Sequence, residues 1–329
     1  MGSGRWSTDV YEEMERARAA RGESAFAHYD RARASGKLEA HPTLNPIGVT
    51  FRESRDSDEH PQSNAIAVFL DVTGSMSRVP RVVQERLPQL LGLLLYKNYI
   101  PHPQILFGAI GDATCDRVPL QVGQFESDNR MDTHLQNLIL EGGGGAGMSE
   151  SYELALYFMA RHTSVDCWEK RRKKGYLFMI GDEMAYPKVK RSEVNDLIGA
   201  GLQDDIPLAQ IVTELKEKYH VFYIIPGGAS NSANAAIPDF WRETLGGQSV
   251  IRLEDANDVS ELIALTIGAN EGTVGLDDGI ADLRAVGASD ATVQHVRSAL
   301  ATFAAPGSII RGRSLDDETG GEGGSTRRL

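Results

Sequence analysis

Five short apolar runs constrain this chain more than anything else in it: AIAVFLD, QILFGAIGD, YLFMIGDE, HVFYIIP and SVIRL, all between residues 65 and 253. They read as strands buried on both faces, because apolar residues follow one another instead of alternating with polar ones. Between them lie VPRVVQERLPQLLGLLLYK, SESYELALYFMARHT, DIPLAQIVTELKEKY and NAAIPDFWRETLG, followed by DVSELIALTIGAN, each with apolar positions at helical spacing. Buried strands separated by helices predict an α/β fold: a doubly wound, mostly parallel central sheet with helices on both faces. VPLQVGQFE reads as a further strand at the sheet edge, and MDTHLQNLIL as a helix leading into a glycine run.

The rest of the chain divides around that core. Residues 1–63 form a lead-in with two charged helices over 8–34, broken near Arg21-Gly22, and a proline-punctuated segment that drapes over the core. Residues 64–270 are the α/β domain, 271–306 a C-terminal helical extension, and 307–329 a polar tail that composition predicts to be disordered. A formal net charge of −12 argues against a general nucleic-acid binder, which must neutralise phosphates. Two cysteines, Cys115 and Cys167, exclude a disulfide scaffold and a four-cysteine zinc site. The N-terminal stretch lacks a long apolar core and no run reaches 18 apolar residues, so a cytoplasmic protein without membrane spans is expected. The basic run KRRKK at 170–174 reads as solvated surface, and His134 and His162 as ordinary helix residues.

Three of the strands end in acidic residues: Asp71 in FLDVTGSMS, Asp112 in FGAIGD, and Asp182-Glu183 in FMIGDE. In an open parallel sheet, ligands gather beyond the carboxyl ends of strands. Asp71 is followed by the hydroxyls of Thr73 and Ser75, with Gly74 between them to allow a tight turn. Carboxylates plus hydroxyls make a partial shell for a hard cation such as Mg2+, which takes about six oxygens and keeps some waters. Asp112 and Asp116 lie on a loop beside that point, Asp112 at its rim, and Tyr186 and Pro187 are candidates for the rim as well.

The stretch D71-V-T73-G-S75-M76, after a buried strand and before an apolar helix, resembles the metal-ion-dependent adhesion site of von Willebrand factor type A domains. The resemblance covers about residues 64–270, and the order of strands and helices matches that Rossmann-like fold. It implies that Asp71, Thr73 and Ser75 hold a cation, with Asp182 assisting from a third loop. The family's second loop often carries Gly-Gly-Thr, whereas this chain has EGGGGAGMSESYELAL. Counting back from Ala155 reaches Glu150, flanked by Ser149 and Ser151, so either Glu150 takes the threonine's place or one of the serines does. The implied cation is Mg2+, with Mn2+ or Ca2+ as alternatives. The implied role is a scaffold or adaptor whose partner protein supplies an Asp or Glu to the metal. Intracellular proteins that resemble this family often work with ring-forming AAA+ ATPases of the MoxR type, so the resemblance implies such a partner.

Two rival functions use the same residues. A metal-dependent phosphoester hydrolase would act through Asp71, Asp182 and Glu150, but Thr73 stands where aspartyl phosphatases carry their second Asp. An RNA-binding scaffold is disfavoured by the acidic charge. A P-loop is disfavoured for the glycine run, since no G-K-[ST] follows it and no basic residue is near.

Overall fold

A computed structural model describes residues 4–24, 26–76, 78–145 and 147–301. Its centre is a six-stranded sheet. In chain order the strands are β1 (Asn64–Asp71), β2 (Pro103–Ile110), β3 (Leu120–Val122), β4 (Gly175–Ile180), β5 (Tyr219–Pro226) and β6 (Val250–Leu253). They lie in the order β6-β5-β4-β1-β2-β3, and only β3 runs antiparallel. The chain starts in the middle, winds outward through β2 to β3, then returns to β4 and winds the other way. The carboxyl ends of β1 and β4 therefore flank the point where the winding reverses, the crevice where such sheets bind ligands.

Every residue of β1, β2 and β4 is buried, and the period-two alternation of a strand divides them between two cores. Ile66, Val68 and Leu70 face one core, while Ala65, Ala67 and Phe69 face the other. The helices are numbered α1 (Thr8–Ala20), α2 (Ala27–Ser35), α3 (Val79–Tyr96), α4 (Tyr152–Arg161), α5 (Leu208–Lys218), α6 (Ala236–Leu245), α7 (Val259–Glu271), α8 (Leu276–Ala285) and α9 (Asp290–Ala301). α3, α7, α8 and α9 pack on the first face and α4, α5 and α6 on the second. Ile280, Leu283, Val293 and Val296 of α8 and α9 join the same core as β1. Among the described residues no helix is long and apolar enough to cross a membrane. The tail at 307–329 lies outside the described residues.

The lead-in helices match the predicted pair, with Ser7 accepting from Val10 N–H at the start of α1. The segment after them is fastened more firmly than its composition suggests. Arg52–Ser54 pairs in parallel with Thr163–Val165, and Asp56 binds Arg171 at 2.8 Å. Lys170 bridges Asp166 and Asp56, and Lys173 meets Glu271 at 2.6 Å. The KRRKK run is thus a set of ties holding the lead-in and α7 to the domain, and not simply a solvated face. The predicted helix at 131–140 ends early, spanning Arg130–Gln136. Beyond it, the side-chain amide of Gln121 on β3 takes both backbone groups of Ile139, at 2.8 and 2.9 Å. That exchange occupies both backbone groups of residue 139, so the chain leaves the helix before it reaches its glycine run.

Candidate functional site

Asp71 closes β1, and its register partner on β2 is Ile110; Leu70, one residue earlier, pairs with Ile180 of β4. That register sets Asp71 level with Gly181, so Asp182 emerges beside it. Asp71 is fully buried and each of its oxygens is used. Oδ1 accepts from Thr73 N–H at 2.9 Å and from Thr73 Oγ1 at 2.5 Å. Oδ2 accepts from the Tyr152 hydroxyl at 2.6 Å. Ser75 Oγ lies 3.2 Å from Thr73 Oγ1 and donates to Asp182 Oδ1 at 2.7 Å. Asp182 Oδ2 takes the backbone N–H of Asn231 at 2.7 Å. Four of the residues anticipated from the sequence, Asp71, Thr73, Ser75 and Asp182, thus form one continuous hydrogen-bonded chain.

Gly74 serves this loop by close approach and not by an unusual backbone angle. Its N–H donates to Gly143 O at 2.7 Å, and a Cβ there would stand 2.9 Å from the same oxygen. The glycine run thereby lies directly against the DVTGSM turn. Gly181 is needed for a different reason, since a Cβ would collide with the Tyr152 hydroxyl.

Glu150 is delivered by a ladder too short to read from sequence. Ser149 and Glu150 pair in parallel with Met184 and Ala185, which puts Glu150 beside Glu183. Glu150 is 1% exposed. Its Oε2 is buried, and among the described residues no N–H or hydroxyl reaches it. Burial first, then the nearby Asp71 and Glu183 charges, raises the Glu150 carboxyl far above the ordinary range. Glu183 is raised as well, chiefly by burial, while its bond to Glu150 works the other way. Burial and the mutual repulsion of the two facing acids thus both disfavour their charged forms. Burial also pushes Asp71 up to about 6, against the hydrogen bonds from Thr73 and Tyr152.

The remaining anticipated residues have structural partners. Ser151 is fully buried, its Oγ accepting from Ala113 N–H at 2.9 Å and its own N–H donating to Gly111 O. Asp112 caps its own loop through Thr114 N–H at 2.9 Å and Thr114 Oγ1 at 2.8 Å, and it accepts from the Tyr186 hydroxyl. Asp116 accepts from Asp112 N–H. Ser149 is half-buried in the short ladder, and Pro187 is exposed beyond it. His162 sits at the end of α4 against the Val49 and Thr50 carbonyls, and His134 is buried away from the site.

Sequence reasoning missed the layer beneath the carboxylates. Tyr223 Oη donates to Glu183 O at 2.7 Å and lies 3.2 Å from Tyr152 Oη. Trp241 Nε1 donates to the same Glu183 carbonyl at 2.8 Å. The three rings pack together, Tyr223 stacked on Trp241 at 4.2 Å between centroids. Three separate elements contribute these residues, so no local pattern could have announced them. Glu183, adjacent to Asp182, was at least visible as an acid at a strand end.

Among the described residues no three His, Cys, Asp or Glu side chains converge as a metal-holding group. A cation here would therefore depend on the hydroxyls as much as on the acids. Asp71, Thr73, Ser75, Asp182 and Glu150 are all hard oxygen donors, suited to Mg2+, Mn2+ or Ca2+ and unsuited to soft metals. The donor-less Glu150 Oε2, buried beside a second acid and close to Asp71, is the arrangement a divalent cation would relieve. The residues fit the group.

No family model matches the sequence, and no curated protein matches it. Solved structures overlap it loosely. Proximal thread matrix protein 1 from the mussel byssus, in crystal form 2, overlaps with a TM-score of 0.41 and 13% identity, over 62% of this chain and 47% of that one. The pilus adhesin SpaC from Lactobacillus rhamnosus GG, in its open conformation, gives 0.43 and 7%, over 66% of this chain and 31% of that one. The chain spans less than half the length of either. The fold assignment rests instead on the strand order and register: a largely parallel, doubly wound sheet between helices.

Proposed function

We propose that this is a von Willebrand factor type A-like module that binds another protein through a divalent cation. The observation that carries the reading is the run Asp71–Thr73–Ser75–Asp182 at the winding reversal, with Glu150 Oε2 buried beside it and lacking a donor. Asp71, Thr73, Ser75 and Asp182 would hold Mg2+, and Glu150 would stand in for the second-loop threonine of the resemblance. The bound cation would supply a Lewis-acidic point to which a partner's Asp or Glu could bond. The resemblance implies a ring-forming AAA+ ATPase as one class of partner.

The hydrolase alternative draws on the paired buried acids Glu150 and Glu183, both raised by burial, since two neighbouring carboxyls can supply an acid and a base. It is weaker on one count. Among the described residues no lysine or arginine hydrogen-bonds or ion-pairs with Asp71, Glu150, Asp182 or Glu183, leaving a developing phosphoryl charge without a counter-charge. Arg78 lines a cavity of about 240 Å³ with Ser75 but is paired with none of them.

Isothermal titration of Mg2+ into the wild type and variants tests the reading. Asp71→Ala should lose most of the binding, Thr73→Ala less because it deletes a neutral donor, and Glu150→Gln an intermediate share. Glu150→Thr should retain part of it. Equal affinity in Asp71→Ala and wild type would refute the assignment. Co-purification of a partner from the native cell, repeated with EDTA and with Asp71→Ala, then asks whether the association depends on the cation.

A further inference from the structure

A second surface lies at the far end of the sheet from β3. β6 is an edge strand, paired with β5 on one side only. Leu253 O accepts from Gly227 N–H at 2.6 Å, and Arg252 is in register with Ile225. In a parallel pair, successive residues turn their backbone groups to opposite sides. Ile251 and Leu253 therefore bond inward to β5, and the N–H and C=O of Arg252 point out of the sheet. Among the described residues neither has a partner.

A cavity of about 570 Å³ runs along this edge, lined by Val250, Arg252 and Glu254 of the strand region, Arg242 of α6, and His295 and Ala299 of α9. Ile251 and Leu253 belong to the first core, on the face that α9 covers. By alternation Arg252 projects to the opposite face, the face of α6 and Arg242. Both arginines are exposed and only lightly engaged. Arg242 leans on Asp239 of its own helix at 3.0 Å, an exposed pair that solvent screens. Arg252 donates to the Ser232 carbonyl. In a chain of net charge −12, Glu254 is the one acid among the lining residues, and it and Asp258 hold the His295 ring, so the two guanidinium groups are the cationic groups this groove leaves to a ligand.

We propose that this edge is a docking strip for an extended, acidic peptide segment of a partner protein, which adds to the sheet as a strand beside β6. Backbone hydrogen bonds to Arg252 supply the pairing. Side chains on one face of the added strand present carboxylates to Arg242 and Arg252, and those on the other face meet the apolar Ala299 side of the groove. The strip is separate from the carboxylate cluster and needs no cation, so it stands whether or not the metal reading does.

Fluorescence anisotropy of the full chain tests it, with a labelled hexapeptide of alternating valine and glutamate, its valine–lysine counterpart, and the acidic peptide N-methylated at alternate residues. The acidic peptide should bind at least about tenfold more tightly than the lysine peptide, and N-methylation should weaken it about tenfold by removing strand hydrogen bonds. Arg252→Glu should weaken it similarly, while EDTA and Asp71→Ala should leave it unchanged. Equal binding of the N-methylated peptide would reduce the strip to charge attraction and overturn strand addition. Absence of saturable binding, or loss of binding with EDTA, would overturn the proposal outright. The peptide series needs only the wild-type protein, so the result does not hang on the folding of a variant.

Discussion

Asp71 has no free oxygen, and the residue that takes its Oδ2 is Tyr152, at the first position of α4. That hydroxyl also meets Tyr223 Oη, whose other partners are the carbonyl and the N–H of Glu183. The tyrosine pair therefore aims Asp71 and anchors the loop that carries Asp182. Tyr152→Phe keeps the ring on Trp241 and removes only the hydroxyl. A buried hydrogen bond to a charged group contributes roughly 1.5–3 kcal/mol, so urea unfolding should show a stability loss of about 2 kcal/mol. If Asp71 binds the cation, Mg2+ affinity should fall severalfold as well, because the carboxylate is then free to turn. Unchanged unfolding in the variant would mean that the hydroxyl contributes nothing to the holding of Asp71.

At the scale of elements, the lead-in behaves as part of the fold. Arg55 reaches Glu53, Asp166 and Glu169, and also Ser164, while Arg171 spans Asp56 and the Ser63 carbonyl at 2.8 and 2.6 Å. These contacts join the segment before β1 to the short helix Asp166–Arg171 before β4. A lone surface pair would be worth little, but Arg171 is three-quarters buried and makes two bonds. Arg171→Ala should lower stability by about 1–2 kcal/mol in denaturant titration. It should also open residues 52–63 to limited proteolysis, with Arg171→Lys restoring part of the protection. Protection identical to wild type in the alanine variant would show that the parallel pairing of Arg52–Ser54 alone holds the segment.

For the whole molecule, acid sensitivity has an identifiable source in His134. Burial, and secondarily Arg52 and Arg130, lowers its pKa from 6.5 to about 4. The unfolded imidazole takes up a proton near pH 6.5 while the native one resists until about pH 4. Between those values the unfolded state binds more protons, so stability falls as pH drops across that window. The loss amounts to up to about 3 kcal/mol at 1.36 kcal/mol per pH unit. Urea midpoints measured from pH 8 to pH 4 should decline through this range. His134→Phe, which cannot titrate, should flatten the decline between pH 6.5 and 4. An equal slope in the variant would assign the acid limb to other groups.

The strands of the sheet and the helices between them were legible because burial on both faces leaves a continuous apolar run, and burial on one leaves a helical stripe. Asp71, Thr73 and Ser75 were legible as a group for a local reason, since one turn brings residues two apart together. Asp182 needed only the further step that neighbouring parallel strands end side by side. Nothing local could reveal that Glu150 is sealed against Glu183, because a two-residue ladder between Ser149–Glu150 and Met184–Ala185 has no pattern of its own. The helix expected through Leu140 failed similarly: the Gln121 side chain, 18 residues away, outbid the helix for the backbone of Ile139. Tertiary structure alone also turned KRRKK from surface into ties, and left the Arg252 backbone facing outward. In each case the deciding energy is a contact between segments distant in sequence, and patterning along the chain carries no record of which segments will meet.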